Sequence, residues 1–427
     1  MNNSRFSPFL GVVIIATVIA GAISVWFEKR VARLSSEWRD AAEALSKPLS
    51  RNSHVEPPPV GEVWALARRA LNDAAQATLD NCDSDMFVSF GSFEADAGTL
   101  TQECRSEIAH ATTPVLSVLA ASRAAKLDVT PVLLNEALAG QVENVAPVAS
   151  VMLRLAVEAG DVGRGSDICL DTLALARDIA SSDAFEGQLR ALHMTQAVFR
   201  GCWALIDQSN TTYKTRFIDR LDTIDGSAPF LSQLTKQEIA RREFFAFPKA
   251  IRAPDLASVS SPLWASLVPT AASLGASNKE GPFLSASDWE TVHTALTTLR
   301  HALESAPEQA IEAGRGADTA LKPVAARLML QPGYFEQAIA AAEDRASLLR
   351  MLRRAARADL MHLQTNHWPP ETANAGTDVV LSVGQNDQAA ITSTNPRLSA
   401  TVILLTPDVE PTPPPVPQPK NKKAGKQ

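Results

Sequence analysis

Four cysteines and seven histidines are the side chains best suited to chemistry in this 427-residue chain. Cys82, Cys104, Cys169 and Cys202 contain no CxxC, so zinc-ribbon and thioredoxin-type spacing are both absent. Taken as two pairs, Cys82 with Cys104 would close a loop-like stretch and Cys169 with Cys202 would meet across a helical hairpin, given an oxidising compartment. The other reading is four buried thiols packed as small hydrophobes. The histidines, His54, His110, His193, His293, His301, His362 and His367, are scattered. His293 and His301 stand eight apart, whereas two metal ligands on one helix need i,i+3 or i,i+4 spacing. Asp80, Asp83 and Asp85 raise a calcium reading, but the EF-hand frame with its glycine at the sixth position is missing. Glu238, Arg241, Arg242 and Glu243 read as a solvated salt-bridging face. GxSxG, HExxH, Walker A and SxxK are all absent. No catalytic, cofactor-binding or metal-ligating residue is assigned on this basis, and no cofactor is expected.

The element that organises the rest is Pro8 to Phe27, PFLGVVIIATVIAGAISVWF, nearly free of charge. Twenty residues of helix span about 30 Å, the hydrocarbon thickness of a bilayer. Ala20-Gly21-Ala22 would suit a signal-peptide cleavage site, but the apolar run continues to Trp26-Phe27 and ends at Lys29-Arg30, as an uncleaved anchor does. One transmembrane helix is therefore expected, with the bulk of the chain periplasmic or otherwise extracytoplasmic. Ala16, Ala20 and Ser24 line one face of this helix and offer a close-packing surface for a homodimer.

A net charge of −7, with 45% hydrophobic and 20% charged residues, describes an ordinary folded body and excludes the basic face of a nucleic-acid binder. Aromatic residues make up only 6% and alanine and leucine dominate, which favours helices over sheets. The expected organisation is a short N-terminal tail at 1–7, the transmembrane helix at 8–27, a juxtamembrane helix at 28–47 and a Pro-rich linker at 48–60. An α-helical domain follows at 61–365, then a small β region at 366–406 and a disordered Pro- and Lys-rich tail at 407–427.

Within the helical domain, periodicity and turn residues predict helices near 61–79, 101–111, 114–126, 130–140, 146–159, 166–181, 184–208, 212–224, 234–247, 285–305 and 328–365. Asp80–Gly98 reads as a loop pinned by its aromatics, and 248–284, punctuated by five prolines, as a long loop carrying Trp264. Val379–Val383, Gln388–Thr394 and Ser399–Thr406 alternate and are β-branched, the pattern of a small antiparallel sheet.

Val151 to Ala180, with its Gly160-Asp161 turn and the following Leu173, Leu175, Ala176 and Arg177, resembles a tetratricopeptide-type hairpin. No 34-residue repeat accompanies it. Extended through Gln188-Leu189 to Asp207, it is similar to uncharacterised membrane-anchored bacterial envelope proteins with helical cores. Leu352 to Ala373, with Trp368-Pro369, resembles a pseudopilin-related segment, although Leu363 occupies its aromatic position and its final leucine is missing. These resemblances imply a helical fold rather than an activity.

The expected function is a membrane-tethered, non-catalytic scaffold or adaptor of the cell envelope that acts through protein–protein contacts with an envelope partner. The alternative is an extracytoplasmic ligand-binding or enzymatic domain of unrecognised type. Trp264, Trp368 and the tail residues Lys420, Lys422, Lys423 and Lys426 are the candidate partner contacts.

Overall fold

The structure is a computed structural model and describes residues 82–94, 98–124, 145–182, 184–226, 231–235, 238, 286–326, 328, 330–370, 378–384, 388–399 and 401–405. The expected transmembrane helix, juxtamembrane helix, Pro-rich linker, first helix at 61–79, helix at 130–140, long loop at 248–284 and terminal tail lie outside the described residues. Among those described, no helix is long and apolar enough to cross a membrane.

The body is mainly helical with a small three-stranded antiparallel sheet after the last helix. In chain order the helices are α1 (Ser84–Gly91), α2 (Gln102–Ala124), α3 (Val145–Glu158), α4 (Val162–Ser182), α5 (Ala184–Gln208), α6 (Thr211–Gly226), α7 (Ala286–Ser305), α8 (Ala310–Leu321) and α9 (Tyr334–Thr365). The strands are β1 (Val379–Val383), β2 (Ala389–Ser393) and β3 (Val402–Leu405).

Helix α9, with 32 residues, is the axis of the fold. It is about 48 Å long, enough to pass through two hydrophobic clusters. Its first turns, with Tyr334, Phe335, Ala338 and Ile339, join Phe185, Leu234 and the inner faces of α7 and α8 in the smaller cluster. Phe335 meets Phe185 and Tyr334 edge to face, with ring centroids 5.1 and 4.9 Å apart. Farther along, Leu348, Leu352 and Ala355 enter the larger cluster with α1 to α6 and the sheet. Each large apolar side chain so buried contributes about 1.5–3 kcal/mol relative to exposure.

The α3–α4 turn explains the Gly160-Asp161 signal. The Asp161 amide donates to Ala156 O at 2.9 Å and the Gly160 amide to Val157 O at 3.0 Å, the paired bonds of a Schellman ending. Gly160 sits at φ +68°, a conformation that strains any side chain. Asp161 then turns to the next helix, its carboxylate accepting the Arg164 amide at 3.1 Å.

Several expectations are corrected. The stretch Asp80–Gly98 is not loop throughout but contains α1, because the Asp83 carboxylate accepts the amides of Asp85 and Met86, both at 3.0 Å. The expected break between 111 and 114 is absent. A proline inside a helix removes one backbone bond, but Ile108, Ala111, Val115, Val118 and Leu119 form one buried stripe that holds α2 together. Helix α8 was not expected, whereas α9, Tyr334–Thr365, falls within the stretch 328–365 expected to contain the last long helix. β1 has the expected bounds, whereas β2 and β3 are shorter than the alternation suggests. Asn395 starts a 3-10 turn at Pro396–Leu398 by accepting the Arg397 amide at 3.1 Å, which shifts β3 to Val402.

The sheet lies on α9 with Val379, Leu381, Ala389, Ile391, Ile403 and Leu405 inward. Polar clamps fix its position. Asp378 accepts from Ser347 at 2.6 Å and from Arg350 Nε and NH2, both at 2.7 Å. Asp344 accepts from Asn395 at 2.6 Å and Arg397 at 2.8 Å. The α9 arginines thus serve largely to hold neighbouring elements.

Candidate functional site

Two arrangements concentrate polar chemistry on the helical body: a charged seam around α6, and a groove between α7 and α8. In the seam, α6 buries Phe217, Ile218, Leu221 and Ile224 and carries charge on both flanks. Towards α4, Arg216 pairs with Asp167 at 2.8 Å and Arg220 with Asp171 at 3.4 Å. Towards α9, Asp222 receives Arg353 and Arg357, both at 2.9 Å, and Asp225 receives Arg353 at 3.4 Å. Partly exposed pairs of this kind contribute at most about 1 kcal/mol each. They fix the register of three helices.

At the inner end of the seam, Lys214 is 1% exposed and its ammonium lies 2.9 Å from Asp359 Oδ2. It also donates to the carbonyl of Ser209, which ties the α5–α6 turn to the pair. One turn beyond Asp359, His362 stacks on Trp368 with centroids 4.1 Å apart and ring planes 22° apart. Trp368, read from the sequence as a candidate partner contact, is 8% exposed, its ring closing the C-terminal end of α9.

The groove runs along α7 and α8 and encloses about 640 Å³. Thr291, Thr294 and Thr298 form one wall, and Ala313, Gly316 and Ala320 form the other. From Thr291 to Ala302 the α7 wall is about 16 Å long, three helical turns. Thr298 donates to Thr294 O at 2.8 Å, so its methyl is left to the groove while its hydroxyl serves the backbone. The opposite wall has side chains no larger than a methyl, which lets another backbone approach closely.

The groove's floor is rigid because α8 is locked to α9. Asp318 on α8 accepts the Phe335 and Glu336 amides at 3.1 and 3.0 Å, capping α9 from outside its own chain segment. Burial pushes the Asp318 carboxyl above its ordinary value, against the pull of those two amides. Arg315 bridges Glu312 at 2.6 Å and Glu336 at 2.8 Å. A β-carbon on Gly314 would meet the Glu336 backbone at 3.0 Å, a separation that lets the two helices touch.

All four cysteines are paired. Cys82 and Cys104 are bonded with Cα atoms 5.0 Å apart, joining the starts of α1 and α2. Cys169 and Cys202 are bonded across the α4–α5 hairpin with Cα atoms 5.5 Å apart. Both separations lie inside the range a disulfide spans without backbone distortion. His293 and His301 are exposed on α7, and among the described residues no group of three or more His, Cys, Asp or Glu is placed to hold a metal ion. Trp264, Lys420, Lys422, Lys423, Lys426, Ala16, Ala20 and Ser24 lie outside the described residues.

Sequence reasoning missed Lys214, Asp359 and the groove. The lysine carried a signal: it stands on the stripe 214, 217, 218, 221, 224 that α6 buries. The groove carried none, since small residues at helical spacing are common. Comparison with known proteins returned no matching family model, no matching curated protein and no matching solved structure.

Proposed function

We propose that this chain is a membrane-tethered scaffold or adaptor of the cell envelope, whose helical body binds a helix of a protein partner in the groove between α7 and α8. The observation that carries this reading is the groove itself: a channel about three turns long between two helices, with threonines, alanines and Leu299 on one wall and alanine and glycine on the other. A partner helix laid into such a channel buries its apolar stripe against small side chains, with backbones in close approach. The two disulfides support a body that folds in an oxidising compartment. The N-terminal run Pro8–Phe27 supports a single anchor there, and the likeness of Val151–Ala180 to a tetratricopeptide-type hairpin is in keeping with a binding scaffold.

The test places a photo-cross-linking residue at Thr294, in the groove, and at Thr215, exposed on α6, in the full chain in its own membrane. The expected result is a defined cross-linked partner from Thr294 alone. Gly316→Leu should abolish it, because a β-carbon there meets nothing within 4 Å and the added side chain fills the channel without disturbing the fold. Equal labelling from both positions, or labelling that survives Gly316→Leu, would count against the groove as a binding site.

A further inference from the structure

Among the described residues, the C-terminal sheet ends in β3 as an edge strand. Native edge strands are usually blunted by a charge, a proline, a bulge or a covering element. β3 is Val402-Ile403-Leu404-Leu405, with none of the first three devices, and among the described residues β2 is its sole strand partner. Two of its four side chains face solvent: Val402 is 40% and Leu404 55% exposed. Register places Val380, Thr392 and Val402 in one outward row and Ser382, Ala390 and Leu404 in the next, so the edge borders an uncharged sheet face.

We propose that β3 pairs with β3 of a second copy of this chain, antiparallel about a two-fold axis through Ile403, to make one continuous six-stranded sheet. Three observations select this occupant. In sequence, the prolines at 407, 411, 413, 414, 415, 417 and 419 lack the amides a ladder needs, which disfavours the downstream chain as the pairing strand. The strand is uncharged, so like meets like without repulsion. Face parity is also satisfied, since opposed residues in a ladder share a face. Pairing about Ile403 sets exposed Val402 against exposed Leu404 and buried Ile403 against its equivalent. A register one residue away would oppose an inward side chain to an outward one. This contact is separate from the small-residue line of the N-terminal run and does not depend on the α7–α8 groove.

The test uses the full chain in its own membrane, co-expressed with two different tags. One form carries Val402→Cys and the other Leu404→Cys. Opposed Cα atoms in an antiparallel ladder lie about 4.5–5.5 Å apart, within disulfide reach, so mild oxidation should yield a mixed-tag dimer. Ser382→Cys lies on the same sheet face but on the far edge and should yield none. In a second arm, run with Ala20→Leu in both forms so that the N-terminal line cannot hold the tags together, co-purification should be lost with Leu404→Lys. It should return with Val402→Glu/Leu404→Lys, where each introduced carboxylate faces an introduced ammonium across the axis. Circular dichroism should be unchanged in both, since Leu404 is exposed. Cross-linking at Ser382 equal to that at 402 and 404, or co-purification that persists with Leu404→Lys, would overturn the proposal. So would a wild-type chain whose tags never co-purify.

Discussion

Lys214 and Asp359 form an ion pair at 2.9 Å beneath the junction of α5, α6 and α9, with side chains 0% and 6% exposed. A buried charge that loses its partner has no water to turn to. Lys214→Met alone, or Asp359→Leu alone, should therefore cost about 3–5 kcal/mol. The double variant should recover most of that loss, because two apolar side chains of similar size fill the same space. Denaturant unfolding of all four proteins checks this. Single and double variants of equal stability would mean that the pair is not what holds the junction.

The two disulfides should differ in their resistance to reduction. Cys169 and Cys202 are both 0% exposed inside the larger cluster, whereas Cys82 is 9% exposed at the start of α1. Under a thiol reductant in native buffer, Cys82–Cys104 should open first and Cys169–Cys202 only with global unfolding. Their sequence separations are 22 and 33 residues. Loop entropy for closures of this size gives about 3–4 kcal/mol each. Mass spectrometry of alkylated protein over a reduction time course gives the order directly.

Acid should loosen the sheet from α9 through Asp378. Burial works to raise this carboxyl, but hydrogen bonds from Arg350 and Ser347 and the charge of Arg350 outweigh it and hold it below its ordinary 3.8. A lowered folded-state value means that the ionised form is the stabilising one. Its contribution is complete above the unfolded value and is lost as pH falls through the folded value. Between pH 5 and 2, stability should therefore drop less steeply in Asp378→Asn than in the unaltered protein, with the variant the less stable of the two at pH 7. Parallel pH profiles would contradict this role.

Asp318→Ala should cost about 1–2 kcal/mol, since it removes the carboxylate that caps the first turn of α9. The loss should concentrate at the α8–α9 junction, so hydrogen exchange at the Phe335 and Glu336 amides should accelerate more than at Leu352. A uniform change along α9 would contradict a local capping role.

These junctions also show what was legible beforehand. Helices α3 to α6 follow from strong periodicity and from the Gly160-Asp161 ending, whose backbone bonds are local. Helix α8 did not, because Gly314 and Gly316 weaken its propensity, and it is held by Asp318 and Arg315 reaching α9. Likewise α1 is announced only by Asp83, a cap that also resembles part of a metal site. In the groove, the threonines of α7 and the small residues of α8 acquire meaning only once the two helices lie side by side. Lys214 was readable in principle, a charge on an apolar stripe, whereas its partner lies 145 positions away, beyond any local pattern.

The proposed scaffold function requires that the body engage protein partners in the envelope. The most direct measurement is cross-linked purification of the intact chain from the membrane fraction of its native cells, beside Gly316→Leu and a form lacking Pro407–Gln427. A reproducible set of envelope proteins should come with the intact chain and be depleted by Gly316→Leu. Loss on removing the tail instead would move the contact to the terminal lysines. A well-folded intact chain that captures no specific protein would contradict the account.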